Sequence, residues 1–277
     1  KISEVTSLTS TSFVNVKGMP MWWNEEGIYT IVPGQQGLEV KDITLSSISS
    51  FYEDIPLDSK KYARGDYNPV TYTVQWVYRS IQENGTTIRY QYNRVLNFDT
   101  STQAFYPWTI STGVVNVNGI SFIPDVGGGS AIAAQFKYIA TIGNDLTFAE
   151  ERDTSYKDWT ITSITGQDYT SFFITGYKLH GQAHRKFQPT YVYMFSNNEV
   201  DTAYKIQGIW NYANSGNSGK FSTIQAVTIN LDNFDKAFKR HRIRGHGIIL
   251  QLKVLSVTGE PFDIMGWSIP ETINAGV

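Results

Sequence analysis

The 277-residue sequence predicts an all-β chain: propeller-like hairpin blades, followed by a β-sandwich or jelly-roll-like domain. Three observations carry that expectation. The chain has 17 Tyr, 15 Phe and 7 Trp among many Thr, Ser, Ile and Val, and branched and aromatic side chains pack well on a pleated surface. Apolar residues recur at period 2, as at Tyr72, Val74, Trp76 and Tyr78. Turn dipeptides such as Asn84-Gly85 and Asn118-Gly119 punctuate the runs.

Taken in order, residues 21–32 (MWWNEEGIYTIV) form two short strands around a turn at Asn24–Gly27. Leu45, Ile48, Phe51 and Tyr52 have the spacing of the one helical candidate. Residues 71–100 form a hairpin turning at Asn84-Gly85, with Ile88, Tyr90 and Tyr92 alternating beyond it and VLNFD (95–99) continuing the pattern. Pro107 is expected to break the ladder of the next segment, because proline has no N–H to donate. A hairpin around Asn118-Gly119 follows (113–123), then a glycine loop at 127–129 and a hairpin over 137–150. Hairpins of about 20 residues suit propeller blades, and a blade takes about 40–45. Residues 1–165 therefore hold three or four blades, and the upstream part of the propeller is expected to be missing. The start at Lys1, with no apolar signal core behind it, fits a processed product or a piece of a longer chain.

From 166 to 277 longer strands appear, at 169–181, 189–197, 203–213, 221–231, 246–257 and 262–269. Six strands in about 110 residues point to a sandwich-like second domain.

Composition narrows the chemistry. No cysteine is present, which excludes disulfides, thiolate metal sites and a cysteine nucleophile. The net charge of −2 is too balanced for a protein held to nucleic acid by its overall field. No apolar run reaches the roughly 18 residues that span a bilayer, so membrane insertion is not expected. His180 and His184 have an i, i+4 spacing, but Gly181 argues against a helix and no third ligand is near, so no metal site is assigned. Glu25-Glu26 and Glu150-Glu151, with Asp153 beyond, are read as solvated turns: adjacent strand residues face opposite ways, whereas a glycosidase opposes two carboxylates across a cleft. DVGGGSA (125–131) lacks the Gly-Lys-Ser/Thr ending of a phosphate loop. No catalytic or cofactor-binding residue is assigned, and the chain is expected not to be an enzyme. Trp22, Trp23, Trp108 and Trp159 are the candidates for stacking on sugars, with Trp22 and Trp108 taken as possible exposed contacts.

The densest feature is FKRHRIRGHGIILQL (238–252). In an extended strand Arg240, Arg242 and Arg244 share one face, with His241 and Ile243 on the other. Gly245 and Gly247 permit a bend before the apolar run. Such a strip suits phosphate, acidic partners or carboxylates of an adjacent subunit, and a solvated or salt-bridged face is expected ahead of specific nucleic-acid contact.

Four segments, in this order, resemble the tail nozzle proteins of short-tailed bacteriophages, also called tail tubular protein B or phage stabilisation proteins. They are VLNFDTSTQAFYPWTIS (95–111), GYKLHGQAHRKFQPTYVYMF (176–195), KIQGIWNYANSGNSGKFSTIQAV (205–227) and RHRIRGHGIILQLKVLSVTGEPFDIMGWSI (240–269). The resemblance covers most of the chain and is strongest from about residue 166; family members are far longer. It implies a virion structural protein of the tail, assembled in the host bacterial cytoplasm as a hexameric ring under the portal and adaptor. Its partners would be copies of itself, the portal-adaptor and other tail proteins, with double-stranded DNA passing through the lumen. On that resemblance Arg240, Arg242 and Arg244 would form an intersubunit salt-bridge strip in preference to a lining near the channel. Two competing classes remain: a carbohydrate-binding or depolymerising tail protein that contacts the host surface, and a hydrolase built on a propeller.

Overall fold

The computed structural model describes residues 5–34, 37–79, 92–110, 115–123, 135–142, 145–150, 157–161, 164–176, 178–179, 186–189, 191–197, 202–213, 220–229, 236–257 and 263–270. The fold is all-β, with antiparallel sheets in two compact units, Lys1–Asp153 and Thr154–Val277. The division lies ahead of the 165/166 position expected from the texture of the sequence.

In the first unit, β1 (Val14–Val16), β2 (Met19–Trp23), β3 (Ile28–Gly34) and β4 (Gly37–Asp42) form a meander in sequence order. Lys17 and Gly18 turn β1 into β2 with both φ positive, at 52° and 87°, a backbone twist that matches paired strands. The helical spacing at 45–52 becomes α1 (Ser49–Glu53), and a second short helix follows as α2 (Leu57–Lys61). A second meander joins β5 (Arg64–Asn68), β6 (Thr73–Tyr78), β7 (Arg94–Asp99) and β8 (Ala104–Thr109). Each of these four-stranded meanders has the build of a propeller blade. The third sheet contains β9 (Val115–Ile123), β10 (Gln135–Ile142) and β11 (Asp145–Glu150), with β10 central.

Aromatic rings cement the first two sheets. Fully buried Trp23 lies 5.1 Å from Tyr52, 5.6 Å from Tyr78 and 6.1 Å from Trp76, in a core that also takes Val14, Ile28, Leu96 and Phe98. The indole of Trp76 donates to the Ser12 carbonyl at 2.9 Å, so its one polar atom is satisfied inside that core.

Two local expectations are corrected here. Pro107 does not interrupt its segment; it lies within β8 opposite Leu96, and β8 pairs only with β7 among the described strands. An edge strand tolerates the missing donor, because one side of it has no ladder to complete. Asn118-Gly119 is not a hairpin turn. β9 runs straight through it, and the register steps from Ile139–Gly119 to Ala140–Val117, leaving Asn118 as the extra residue of a bulge. Its carbonyl accepts from Arg64 Nη1 at 3.3 Å. The Asn84-Gly85 turn and the glycine loop lie outside the described residues.

The second unit opens with the hairpin β12 (Lys157–Ile161) and β13 (Ile164–Asp168). Eight strands follow: β14 (Phe172–Ile174), β15 (Lys178–Leu179), β16 (Val192–Asn197), β17 (Thr202–Trp210), β18 (Gln225–Ile229), β19 (Lys236–His241), β20 (Ile249–Ser256) and β21 (Ile264–Ser268). One sheet runs β14-β20-β17-β18, with β15 also on β20; the other runs β19-β16-β21. Leu250, Leu252 and Val254 alternate inward from β20 and meet Tyr204, Ile206 and Trp210 of β17 and Val192 and Met194 of β16. Inward residues of both sheets share one core, which makes this unit a sandwich.

Candidate functional site

The basic stretch lies at the rim of the sandwich. Among the described strands β19 pairs with β16 alone, with His241 opposite Val192 and Arg240 opposite Tyr193. Alternation persists past the end of the strand: Arg240, Arg242 and Arg244 are exposed, and His241 and Ile243 are buried. None of the three arginines forms an ion pair with another described residue. The guanidinium of Arg240 lies over the Tyr191 ring at 4.5 Å.

The buried side explains why the arginines face outward. Tyr204 Oη and His241 Nε2 are 2.6 Å apart in the core. Burial, with Lys239 adding to it, holds the imidazole below its ordinary pKa, so near neutrality it is uncharged where it hydrogen-bonds the phenol. Gly245 then turns the chain at φ 118°, where a Cβ would meet Trp210 Nε1 at 2.2 Å. That indole points at the Arg244 carbonyl, 3.4 Å away, and Asn211 Oδ1 accepts from the Ile248 and Ile249 amides at 2.8 and 3.2 Å. Trp210 and Asn211 thus clamp the bend that ends the arginine strip.

Beside the strip lies a feature the sequence reading missed. Phe195, Phe238 and Tyr193 share the outer face of β16 and β19. Phe238 stacks on Tyr193 at 5.2 Å and 8° and leans on Phe195 at 5.3 Å, yet remains 58% exposed. The alternation Tyr193-x-Phe195 was visible in the sequence, but not which face the second sheet would cover.

The first unit carries a hollow of about 540 Å³ lined by the carboxylate residues Glu25, Glu26, Glu53 and Asp54, by Ile55, Pro56 and Leu57, and by Lys60. The turn at Asn24–Gly27, closed by a 2.8 Å bond from Asn24 N to Gly27 O, presents the two glutamates to solvent. Lys60 is nearly buried; its ammonium donates to the Glu25 carbonyl at 2.8 Å and sits 4.4 Å from the centre of the Tyr52 ring. Burial lowers its pKa, against an opposing pull from Glu25 and Glu53.

The two tryptophans proposed as exposed contacts part company. Trp22 is only 7% exposed, a correction to the expectation: directly opposite Tyr29 in the β2–β3 ladder, it stacks on that ring at 6.2 Å. Trp23 is buried too, in the core. Trp108 is 44% exposed on edge strand β8, two residues from exposed Tyr106 and on the same face. The side chain of Trp159 lies outside the described residues, as do His180, His184, Glu151 and Asp153. Among the described residues no three His, Asp or Glu side chains gather as a metal site, and no helix is long and apolar enough to cross a membrane.

No protein-family model matches the chain, and no curated protein does. Among solved structures it is similar to a family 43 glycoside hydrolase, an arabinoxylan arabinofuranohydrolase from Bacillus subtilis in complex with cellotetraose, at 9% identity and a TM-score of 0.25. That match covers 94% of this chain and 78% of the hydrolase. A second is a family 32 β-fructofuranosidase from Bombyx mori, at 9% identity and a TM-score of 0.24, covering 89% of this chain and 63% of that one. These neighbours overturn the expectation that the chain is not an enzyme, which is withdrawn because both are glycoside hydrolases. Likeness at that level assigns no activity, substrate or residue role to this chain.

Proposed function

We propose that the chain is a structural subunit of a ring in the tail of a short-tailed bacteriophage, the nozzle through which DNA leaves the virion. The observation that carries the reading is the strip Arg240, Arg242 and Arg244, held outward by buried His241 and Ile243 and free of ion pairs with described residues. Exposed arginines beside exposed aromatics have the composition of a subunit contact. The order of the four family-like segments supports the same reading. In such a ring the strip serves a neighbouring copy rather than the DNA, because a lumen that neutralised phosphates would grip its cargo.

Negative-stain electron microscopy with light scattering tests this on the chain and on the full-length gene product. Rings of about six subunits around a channel are expected, six being what the resemblance implies. Monomers of the full-length product at high concentration would overturn the proposal.

A second reading has one specific observation behind it. Tyr106 and Trp108 stand exposed two residues apart on an edge strand, about 7 Å along it, an arrangement suited to stacking on sugar rings. A tail protein that touches host glycan would bind lipopolysaccharide or capsule oligosaccharide and lose that binding in Trp108→Ala. No binding at millimolar oligosaccharide removes this reading.

A further inference from the structure

We propose that the aromatic and cationic outer face of β16 and β19 docks into the carboxylate-rimmed hollow of the first unit of a second copy of this chain. The inference rests on the ring reading and names the two surfaces that would close each contact.

The sandwich face is unusual in what it leaves uncovered. The outer side of a two-layer antiparallel sheet is ordinarily polar. Here Phe238 and Phe195 are exposed and Tyr193 half-buried, with Arg240, Arg242 and Arg244 exposed along the same side. Aromatic residues and arginine are the types enriched where protein surfaces meet.

Charge decides which surface it meets. Two such faces brought together would set arginine against arginine, so a symmetric contact of this face with itself is disfavoured. The hollow has the opposite character. Glu25, Glu26, Glu53 and Asp54 are exposed around it, and Ile55 and Leu57 give it an apolar lining. Lys60 offsets one of these four carboxylates and leaves the rim negative, its ammonium being turned to the Glu25 carbonyl and the Tyr52 ring. A projecting Phe238 flanked by arginines and an acidic hollow with apolar lining are complementary in both polarity and charge. Because the two surfaces differ, each copy offers one to each neighbour; such a head-to-tail contact builds rings when the rotation closes. The net charge of −2 leaves this segregation invisible in the total.

Two charge-reversed variants test it: Arg240→Glu with Arg242→Glu, and Glu25→Lys with Glu53→Lys. By light scattering and electron microscopy each variant alone should assemble at least tenfold more weakly than wild type. An equimolar mixture should recover assembly to within twofold, because where the two variants alternate each reversed face meets a reversed hollow and each native face a native hollow. Circular dichroism confirms that each is folded; where a double variant is not, the single exchanges Arg242→Glu and Glu53→Lys are read in the same way. Rings that persist in either variant, or a mixture that stays unassembled, overturn the docking while leaving the ring reading intact. Wild-type full-length protein that never assembles overturns both.

Discussion

Replacing Gly245 with alanine should unfold the sandwich unit locally, and the size of the effect can be worked from the bend itself. Gly245 sits at φ 118°, a region L-residues rarely enter, and its missing Cβ would lie 2.2 Å from Nε1 and 2.9 Å from Cδ1 of fully buried Trp210. The backbone term is about 1–3 kcal/mol. Forcing the indole aside in a packed core adds about 1–3 kcal/mol. Reduced freedom of the unfolded chain returns about 0.4–1 kcal/mol. The net loss is about 1–5.6 kcal/mol, a large share of a typical domain stability of about 5–15 kcal/mol. Gly176→Ala is the control, since nothing lies within 4 Å of its Cβ position and its φ is not positive. With two units in the chain a single unfolding free energy is ill-defined, so native-state hydrogen exchange of the β17 and β20 amides is the assay. Protection there should fall in Gly245→Ala and hold in Gly176→Ala. Equal protection in the two variants, within about 0.5 kcal/mol, would refute the claim that Trp210 and the bend are locked together.

Three further outcomes are expected. Trp76→Phe should destabilise the first unit by about 1–3 kcal/mol in urea unfolding, because the Ser12 carbonyl loses its buried donor. The pKa of His241 is lowered in the folded chain, so the unfolded state binds the proton more readily and stability should fall as pH drops below about 6.5. In melts from pH 8 to 5, His241→Gln should flatten that dependence relative to wild type. The Asp99 carboxylate accepts from the Ser101 amide and hydroxyl at 2.7 and 2.6 Å and from the Thr102 amide at 3.3 Å, and those bonds push its pKa down to about 2. Its contribution to the β7–β8 turn is present above pH 4 and lost as pH falls towards 2, and carboxyl chemical shifts should place its titration near that lower value.

Much of the strand pattern was legible. β6 and β7 were read from alternation and β20 from its apolar run, and the outward arginines with His241 and Ile243 behind them followed from the period of 2. The β1–β2 turn was not read, although Lys17-Gly18 holds the positive φ values that such a turn needs. Asn118-Gly119 carried the stronger turn signal and became a bulge, because β10 pairs on both sides of it.

The order of the residues by itself determined the β class, the positions of strands such as β6 and β7 and the sidedness of the basic strip, all of which arise from neighbours two residues apart. Tertiary structure decided which faces are covered. Trp22 and Trp108 are the same residue type in similar strands, yet one meets Tyr29 across the ladder and the other stands at an edge. The hollow was equally hidden, since Glu25 and Glu26 reach Glu53 and Asp54 only after α1 has folded back on the β2–β3 turn, fastened by the 2.7 Å bond from Tyr52 Oη to the Asn24 carbonyl. Burial and charge clustering depend on partners far away in the chain, and no local period records them.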